Sequence, residues 1–227
     1  MPRYTKQDRF HRKAKQDHFA ARSVYKLEEL DRRFRVVRKG DKIVDLGSAP
    51  GSWLQYLSQA VGKKGIVVGY DIAAISINPG LNVRAFETPV EALNPDRVRQ
   101  DLSDWTAERK GVPAPSPVPP SFGADVLLSD MAPKLTGIRD ADQVRQIALA
   151  DHALGLAIRV LKPNGRFVAK LFQGRETDDF LLRCKRAFRI VRLIKPEATR
   201  EGSREVFVVA ENPTGSGADG HSNETVA

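Results

Sequence analysis

Cysteine is almost absent from this chain: Cys184 is the one thiol in 227 residues. A lone cysteine excludes an intrachain disulfide framework, and without a Cys/His cluster around it no metal site is expected. Its setting, FLLRCKRAF, reads as a helix position packed on a sheet, an ordinary buried thiol. Long apolar runs are missing too. No stretch approaches the roughly 20 apolar residues of a membrane span, and the basic N-terminus lacks the apolar segment of a secretory signal. The expected compartment is the cytoplasm, with no membrane partner.

What the chain has in excess is positive charge. It carries a net +9 with a pI near 9.8, which points to a polyanionic partner. The excess is concentrated in residues 1–39, where thirteen Lys/Arg face five Asp/Glu, a surplus of eight. A merely solvated basic arm is the plain alternative; charge blocks at termini often serve as nucleic-acid tails, and RNA is the favoured partner. Length alone suits one well-buried core rather than two.

The organising stretch is KIVDLGSAPGSWLQY, residues 42–56. Ile43, Val44 and Leu46 make a short strand ending at Gly47, and Ser52 is placed to cap the helix that follows. Gly47 and Gly51 give the turn its backbone freedom and let a ligand approach the main chain. Asp45 stands near the strand's end, where ligands of open α/β sheets bind. The plain alternative is a glycine turn that only joins strand to helix. Read as a site, it holds neither the G-x-G-x-x-G of a dinucleotide turn nor the Gly-Lys-Ser/Thr of a P-loop. With a second acid, Asp71, ending the next strand, it resembles the S-adenosylmethionine (SAM) site of class I methyltransferases.

Residues 1–17 read as a flexible basic arm, and 19–34 as helical, with Ala20, Val24, Leu27 and Leu30 at helical spacing. Strands are expected at 65–71, 81–86, 124–130, 165–172, 189–195 and 204–210, and helices at 95–105, 141–161 and 176–187. The segment GVPAPSPVPP, 111–120, holds five prolines and can be neither helix interior nor central strand. It reads as a stiff insertion within one domain over 18–211. The polar stretch 212–227 reads as a disordered tail. Alternating strands and helices, closed by two successive strands, predict a doubly wound, seven-stranded, mostly parallel α/β sheet with one reversed strand.

Five segments then resemble the FtsJ-type (RrmJ/RlmE) ribosomal RNA ribose 2′-O-methyltransferases: RSVYKLEEL (22–30), DLGSAPGSW (45–53), LLSDMAP (127–133), FVAKLFQG (167–174) and SREVFVVA (203–210). The resemblance implies a catalytic Lys-Asp-Lys-Glu set at Lys26, Asp130, Lys170 and Glu205. It implies SAM contacts at Gly51, Trp53, Asp71 and Asp130, and a further acidic contact at Glu87. That last segment, VRAFETPVE, departs from the family's usual Gly-Asp-Phe, and the proline-rich insertion is longer than the family's usual connection.

Read as chemistry, methyl transfer to a ribose hydroxyl needs an in-line approach and a way to remove the hydroxyl proton. A lysine at its ordinary pKa of about 10.4 keeps its proton at neutral pH. Burial at a strand's end and a neighbouring cation, Lys26, favour a general-base role for Lys170, while Asp130 and Glu205 pull electrostatically the other way and orient the lysines. Arg22, Lys26, Arg32, Arg33, Arg35, Arg38 and Lys39 form a basic surface for RNA, extended by Arg192, Lys195 and Arg200. A 2′-hydroxyl acceptor itself selects RNA over DNA. The resemblance implies a monomeric, SAM-dependent enzyme acting on a uridine of 23S rRNA, in an assembled 50S subunit. Two alternatives stay open: ribose methylation of tRNA or of an mRNA cap, and a non-catalytic RNA-binding assembly factor.

Overall fold

Apolar, β-branched runs fix the centre of the sheet. In the computed structural model, which describes residues 6–200 and 202–215, β1 (Lys42–Leu46), β2 (Ile66–Asp71), β3 (Val83–Glu87), β4 (Ala124–Ser129) and β5 (Leu161–Phe172) pair in parallel. Two further strands, β6 (Phe188–Ile194) and β7 (Glu205–Pro213), complete it, with β7 antiparallel to both β5 and β6. The order is β3-β2-β1-β4-β5-β7-β6, the mixed seven-stranded sheet with one reversed strand that the sequence predicts. The chain leaves β1 on one side toward β2 and later returns on its other side as β4. The strand order therefore reverses between β1 and β4, which opens a crevice at their carboxyl ends.

Six α-helices lie among the described residues: α1 (Lys6–Gln16), α2 (Val24–Phe34), α3 (Ser52–Val61), α4 (Pro95–Lys110), α5 (Arg139–Val160) and α6 (Thr177–Ala187). Successive strand residues point to opposite faces, so each strand feeds two cores. Ile43, Val67, Val126 and Val168 pack with Leu27 and Leu30 of α2 and Leu54 and Leu57 of α3. On the other face Val44, Val68, Leu127 and Phe167 pack with Val98, Ala150, Leu154 and Phe180 from α4, α5 and α6. Burial on both faces is why the central strands read as unbroken apolar runs. Cys184, on α6, is fully buried, and burial pushes its thiol up to about 12.

The structure departs from the sequence reading at several boundaries. Residues 6–16 of the expected flexible arm form α1; Ala14 is buried there, and the Phe10 ring lies 5.6 Å from that of Tyr25. Those apolar positions are spaced four apart in an otherwise charged segment, which is enough to dock one helical face. Residues 1–5 of the arm lie outside the described residues. The helix expected from Phe19 starts at Val24. β5 begins at Leu161, because Leu161 pairs with Ala124 before the register shifts. β7 continues through Asn212 and Pro213, opposite Phe188, so the expected tail begins inside a strand; residues 216–227 lie outside the described residues. The 111–120 segment has no helix or strand, in keeping with its prolines.

One buried ion pair ties the entry to β1 onto β5. Arg166 Nη2 donates to Asp41 Oδ2 at 2.9 Å and Nη1 donates to the Val36 carbonyl at 2.7 Å, with both side chains almost wholly buried. Removing one partner strands the other charge in the interior. Asp41→Ala is therefore expected to lower unfolding free energy by about 3–5 kcal/mol in urea titration; a change below about 1 kcal/mol would show that the pair is dispensable.

Candidate active site

The turn after β1 is shaped by two positive-φ glycines. Gly47 has φ +79°, and a Cβ there would meet Met131 Cγ at 2.8 Å; Gly51 has φ +111° and caps α3. Ser52 is thus the first helical residue and not the cap expected of it. Its hydroxyl lies 3.0 Å from that of Ser23, joining α3 to the start of α2. A Cβ on Gly51 would overlap Ile77, so the loop after β2 closes down on this turn.

Beside the turn, at the crevice between β1 and β4, lies a cavity of about 710 Å³, a size suited to a small-molecule ligand. Gly47, Asp71, Ile72, Val90, Asp130 and Met131 are among the residues that line it. Asp71 Oδ2 accepts from Ala49 N at 2.8 Å and Oδ1 from Ala73 N at 2.9 Å, so this carboxylate fixes two loops at the rim. Asp45 is fully buried and, among the described residues, neither of its carboxyl oxygens has a hydrogen-bond partner. Burial first, then the charges of Asp130 and Asp71, push its carboxyl well above the ordinary range.

The four candidate catalytic groups meet through sheet register. Lys170 of β5 lies opposite Phe207 of β7, and Phe172 opposite Glu205. Directly opposed residues share a face, as do residues two apart. Lys170 and Glu205 therefore emerge on one face as diagonal neighbours. Lys26 reaches that face from α2 and its Nζ donates to Glu205 Oε2 at 2.7 Å. Lys170 Nζ lies 2.9 Å from Asp130 Oδ1 and donates to the Asp130 carbonyl at 2.6 Å. Both lysines are buried, 9% and 5% exposed, and charges this enclosed require partners. Lys26 is paired with neither Glu28 nor Glu29, the partners a surface helix lysine would take.

Of the candidate cofactor contacts, Asp71 and Asp130 line the cavity; Gly51, Trp53 and Glu87 do not. Trp53 is buried against Phe207, ring centroids 6.1 Å apart, and its Nε1 donates to the Ser23 carbonyl at 3.1 Å. Glu87 is exposed beside Asp71 at the end of β3, while Glu91, one turn of chain later, lines the cavity in its place. Lys26 and Glu205 line a second cavity, of about 680 Å³, that shares no lining residue with the first. Of the basic surface expected to meet RNA, Arg22, Lys26 and Arg200 line this cavity, and residues 32–39 do not.

Sequence reasoning missed Gln146. This residue of α5 is 1% exposed, and its Nε2 donates both to the Met131 carbonyl at 3.1 Å and to the Lys170 carbonyl at 2.8 Å. It staples the ends of β4 and β5 together under the Lys170–Asp130 pair. The signal was present: Gln143 and Gln146 are amides on a helix face otherwise made of Ile147, Ala150 and Leu154, all buried.

The FtsJ-like methyltransferase family model matches residues 19–213. A curated relative from Syntrophobacter fumaroxidans, named ribosomal RNA large subunit methyltransferase E, is 39% identical over 91% of this chain and 95% of its own length. Proteins of the same name from Bdellovibrio bacteriovorus and Methanobrevibacter smithii are 40% and 35% identical, covering 91% and 90% of this chain and 96% and 89% of their own. A crystal structure from Plasmodium falciparum, described as a ribosomal RNA methyltransferase, shares the fold with a TM-score of 0.70. It is 23% identical and the match spans 86% of this chain and 98% of that one.

Two outcomes test the geometry. Gln146→Leu removes the donor from two buried carbonyls, a loss of about 1–3 kcal/mol in stability, and is expected to lower kcat by about 10- to 100-fold with the KM for methyl donor unchanged; wild-type turnover would show that the staple does not position Lys170. Glu205 answers to pH. Burial raises its carboxyl, but the charge and hydrogen bond of Lys26 and the charge of Lys170 prevail, holding it below its ordinary 4.5. A depressed folded value contributes stability that is present above 4.5 and lost as pH falls through the folded value. The stability advantage of wild type over Glu205→Gln, measured by urea titration, is expected to hold at neutral pH and to shrink below 4.5.

Proposed function

Because the chain belongs to the FtsJ-like methyltransferase family, we propose that it transfers a methyl group from SAM to the 2′-hydroxyl of a ribose in RNA, at a uridine of 23S rRNA in the 50S subunit. The observation that carries this reading is the junction of two cavities on one cluster. Asp130 lines the first, Lys26 and Glu205 line the second, and Lys170, which lines neither, is joined to Asp130. We place the donor in the first cavity and the acceptor in the second, so that the two meet at this cluster.

The first cavity fits the donor. Asp71 and Asp130 on its wall and the orphaned buried carboxyl of Asp45 beside them make an acidic surround for a ligand with cationic and hydroxylated parts. The tight packing of Gly47 on Met131 leaves main chain at its floor. Asp71 and Asp130 are the residues proposed to hold the donor, with Gly51 and Trp53 fixing the shape of the turn; Glu87 stands away from the cavity wall, so Glu91 is the acid proposed at that position. When bound, SAM supplies a methyl group on a positively charged sulfur.

On the acceptor side, Lys170 Nζ, once it has released a proton to solvent and stands as the neutral amine, is the proposed acceptor of the hydroxyl proton as the oxygen takes the methyl carbon. Asp130 sets the direction of that nitrogen through its carboxylate and carbonyl. Lys26, held by Glu205 on the same face, presents an ammonium to the negative charge developing on the ribose oxygen. No helix among the described residues is long and apolar enough to cross a membrane, and we place the enzyme in the cytoplasm, acting as a monomer.

The test incubates the protein with methyl-labelled SAM and undermethylated 50S subunits and maps 2′-O-methyl nucleotides. Transfer to one 23S uridine is expected. Transfer to tRNA alone would replace the substrate, and no transfer to any RNA would favour a non-catalytic binding protein. Lys170→Ala is expected to lower turnover by about 10²- to 10⁴-fold with SAM affinity little changed, and Lys26→Ala to be severely impaired; full activity in either variant removes that lysine from the chemistry.

A further inference from the structure

The cavity on the acceptor side carries more positive charge than the lysine cluster can use. Besides Lys26 and Glu205 it is lined by Arg139 at the first residue of α5, Arg204 just before β7, Leu135 and Phe172. Its two carboxylates are already engaged. Glu205 is held by Lys26, and Asp142 accepts from Thr136 N at 2.7 Å, Thr136 Oγ1 at 2.7 Å and Gly137 N at 3.1 Å. Among the described residues, neither the Arg139 nor the Arg204 guanidinium has a hydrogen-bond or ion-pair partner. Two unengaged forks from separate elements therefore face one cavity, and its apolar wall includes Leu135, 62% exposed to solvent.

Resting on the methylation reading above, we propose that this cavity takes the acceptor nucleotide unstacked from its neighbours. Arg139 and Arg204 grip the phosphodiesters flanking its ribose, and Leu135 and Phe172 form the wall for its base. A 2′-hydroxyl is vicinal to the 3′-phosphodiester, so bringing that oxygen to Lys170 and Lys26 necessarily carries a phosphate into the same cavity. A planar guanidinium matches phosphate oxygens two at a time, which fixes orientation as well as charge. A stacked, paired nucleotide cannot present its ribose to a recess at the sheet's end; an extruded one can, and an apolar wall offsets part of the lost stacking. The residues at 32–39 then track RNA beyond the cavity, whereas Arg139 and Arg204 set the register of one ribose.

The test compares wild type, Arg139→Ala/Arg204→Ala and a charge-matched control, Lys63→Ala/Lys64→Ala. The control pair is exposed just ahead of β2, at the opposite end of the sheet from the site. Single-turnover methyl transfer to undermethylated 50S subunits is measured over a salt series, together with SAM affinity and the anisotropy of fluorescein-labelled single-stranded oligouridylate. The arginine pair is expected to raise the KM for subunits about tenfold or more, with kcat and SAM affinity near wild type, and to weaken oligouridylate binding in parallel. The slope of log(kcat/KM) against log salt should flatten by about 1.4, about 0.7 for each phosphate lost from a single strand. An Arg139→Lys/Arg204→Lys variant is expected to keep the salt slope but not the KM, since charge survives and the fork does not. If wild type transfers methyl groups and the arginine pair matches the lysine control in KM and slope, the proposal is overturned and the methylation reading stands. If wild type transfers none but binds oligouridylate through Arg139 and Arg204, the methylation reading falls and the phosphate grip survives.

Discussion

The Lys170–Asp130 ion pair spans the carboxyl ends of two neighbouring strands, and the site depends on it. Asp130 follows the last residue of β4, and Lys170 lies two residues from the end of β5. Parallel pairing in register, Ser129 opposite Ala169, brings the two side chains to the same end of the sheet. Such closeness could be lost by a shift of one residue, which would turn Lys170 into the opposite core. Two features prevent that shift. β7 clamps β5 from its other edge through seven paired positions, from Arg166–Glu211 to Phe172–Glu205, and Gln146 holds the Lys170 and Met131 carbonyls from below.

The same register explains why a reversed strand closes the sheet. β7 runs antiparallel to β5, so its first residue, Glu205, lies beside the last residue of β5 and reaches the carboxyl end of the parallel strands. A parallel β7 would deliver its first residue to the far end of the sheet. The reversal therefore adds an acid to the site from the start of a strand rather than from its end, and that acid holds the amine of α2. The helix supplies one charge, the ends of two parallel strands supply two, and the reversed strand supplies the fourth.

How much of this was legible in the sequence depended on the kind of signal. Strands β1, β2, β4 and β5 announce themselves because burial on both faces makes them apolar throughout, and the doubly wound order follows from their alternation with helices. Lys170 could be singled out because a lysine ending such a strand is out of place. The pairing of the lysines was not legible: sequence gave Lys26 two nearer acids, Glu28 and Glu29, and only the α2–sheet packing sends its amine to Glu205 across 179 positions. Trp53 illustrates the converse. Its place in a family motif pointed to a cavity wall, whereas its indole is spent on packing against Phe207 and holding the Ser23 carbonyl. Helix α1 escaped notice because Phe10 and Ala14 are few among charges, and two apolar residues on one face weigh little in a composition average.

In the proposed reading, residues 131–138 let donor and acceptor meet without sharing a space. The first half of the loop, through Lys134, lines the first cavity; Leu135 and the helix start at Arg139 line the second. A partition of this sort must be fixed at both ends and must leave its middle open to the ligands it separates. Met131 is buried against Gly47 at one end, where even one added methyl group would collide. Asp142 holds the other end by accepting from Thr136 and Gly137, and those bonds, the first from the Thr136 backbone, keep its carboxyl below the ordinary range. An acidic residue in the first turn of a 22-residue helix is also favoured by the helix dipole. With its ends anchored, the loop leaves Leu135 and Ile138 facing solvent, 62% and 66% exposed. Apolar groups held open beside unengaged arginines are the surface expected where a base and its phosphates are to be received together.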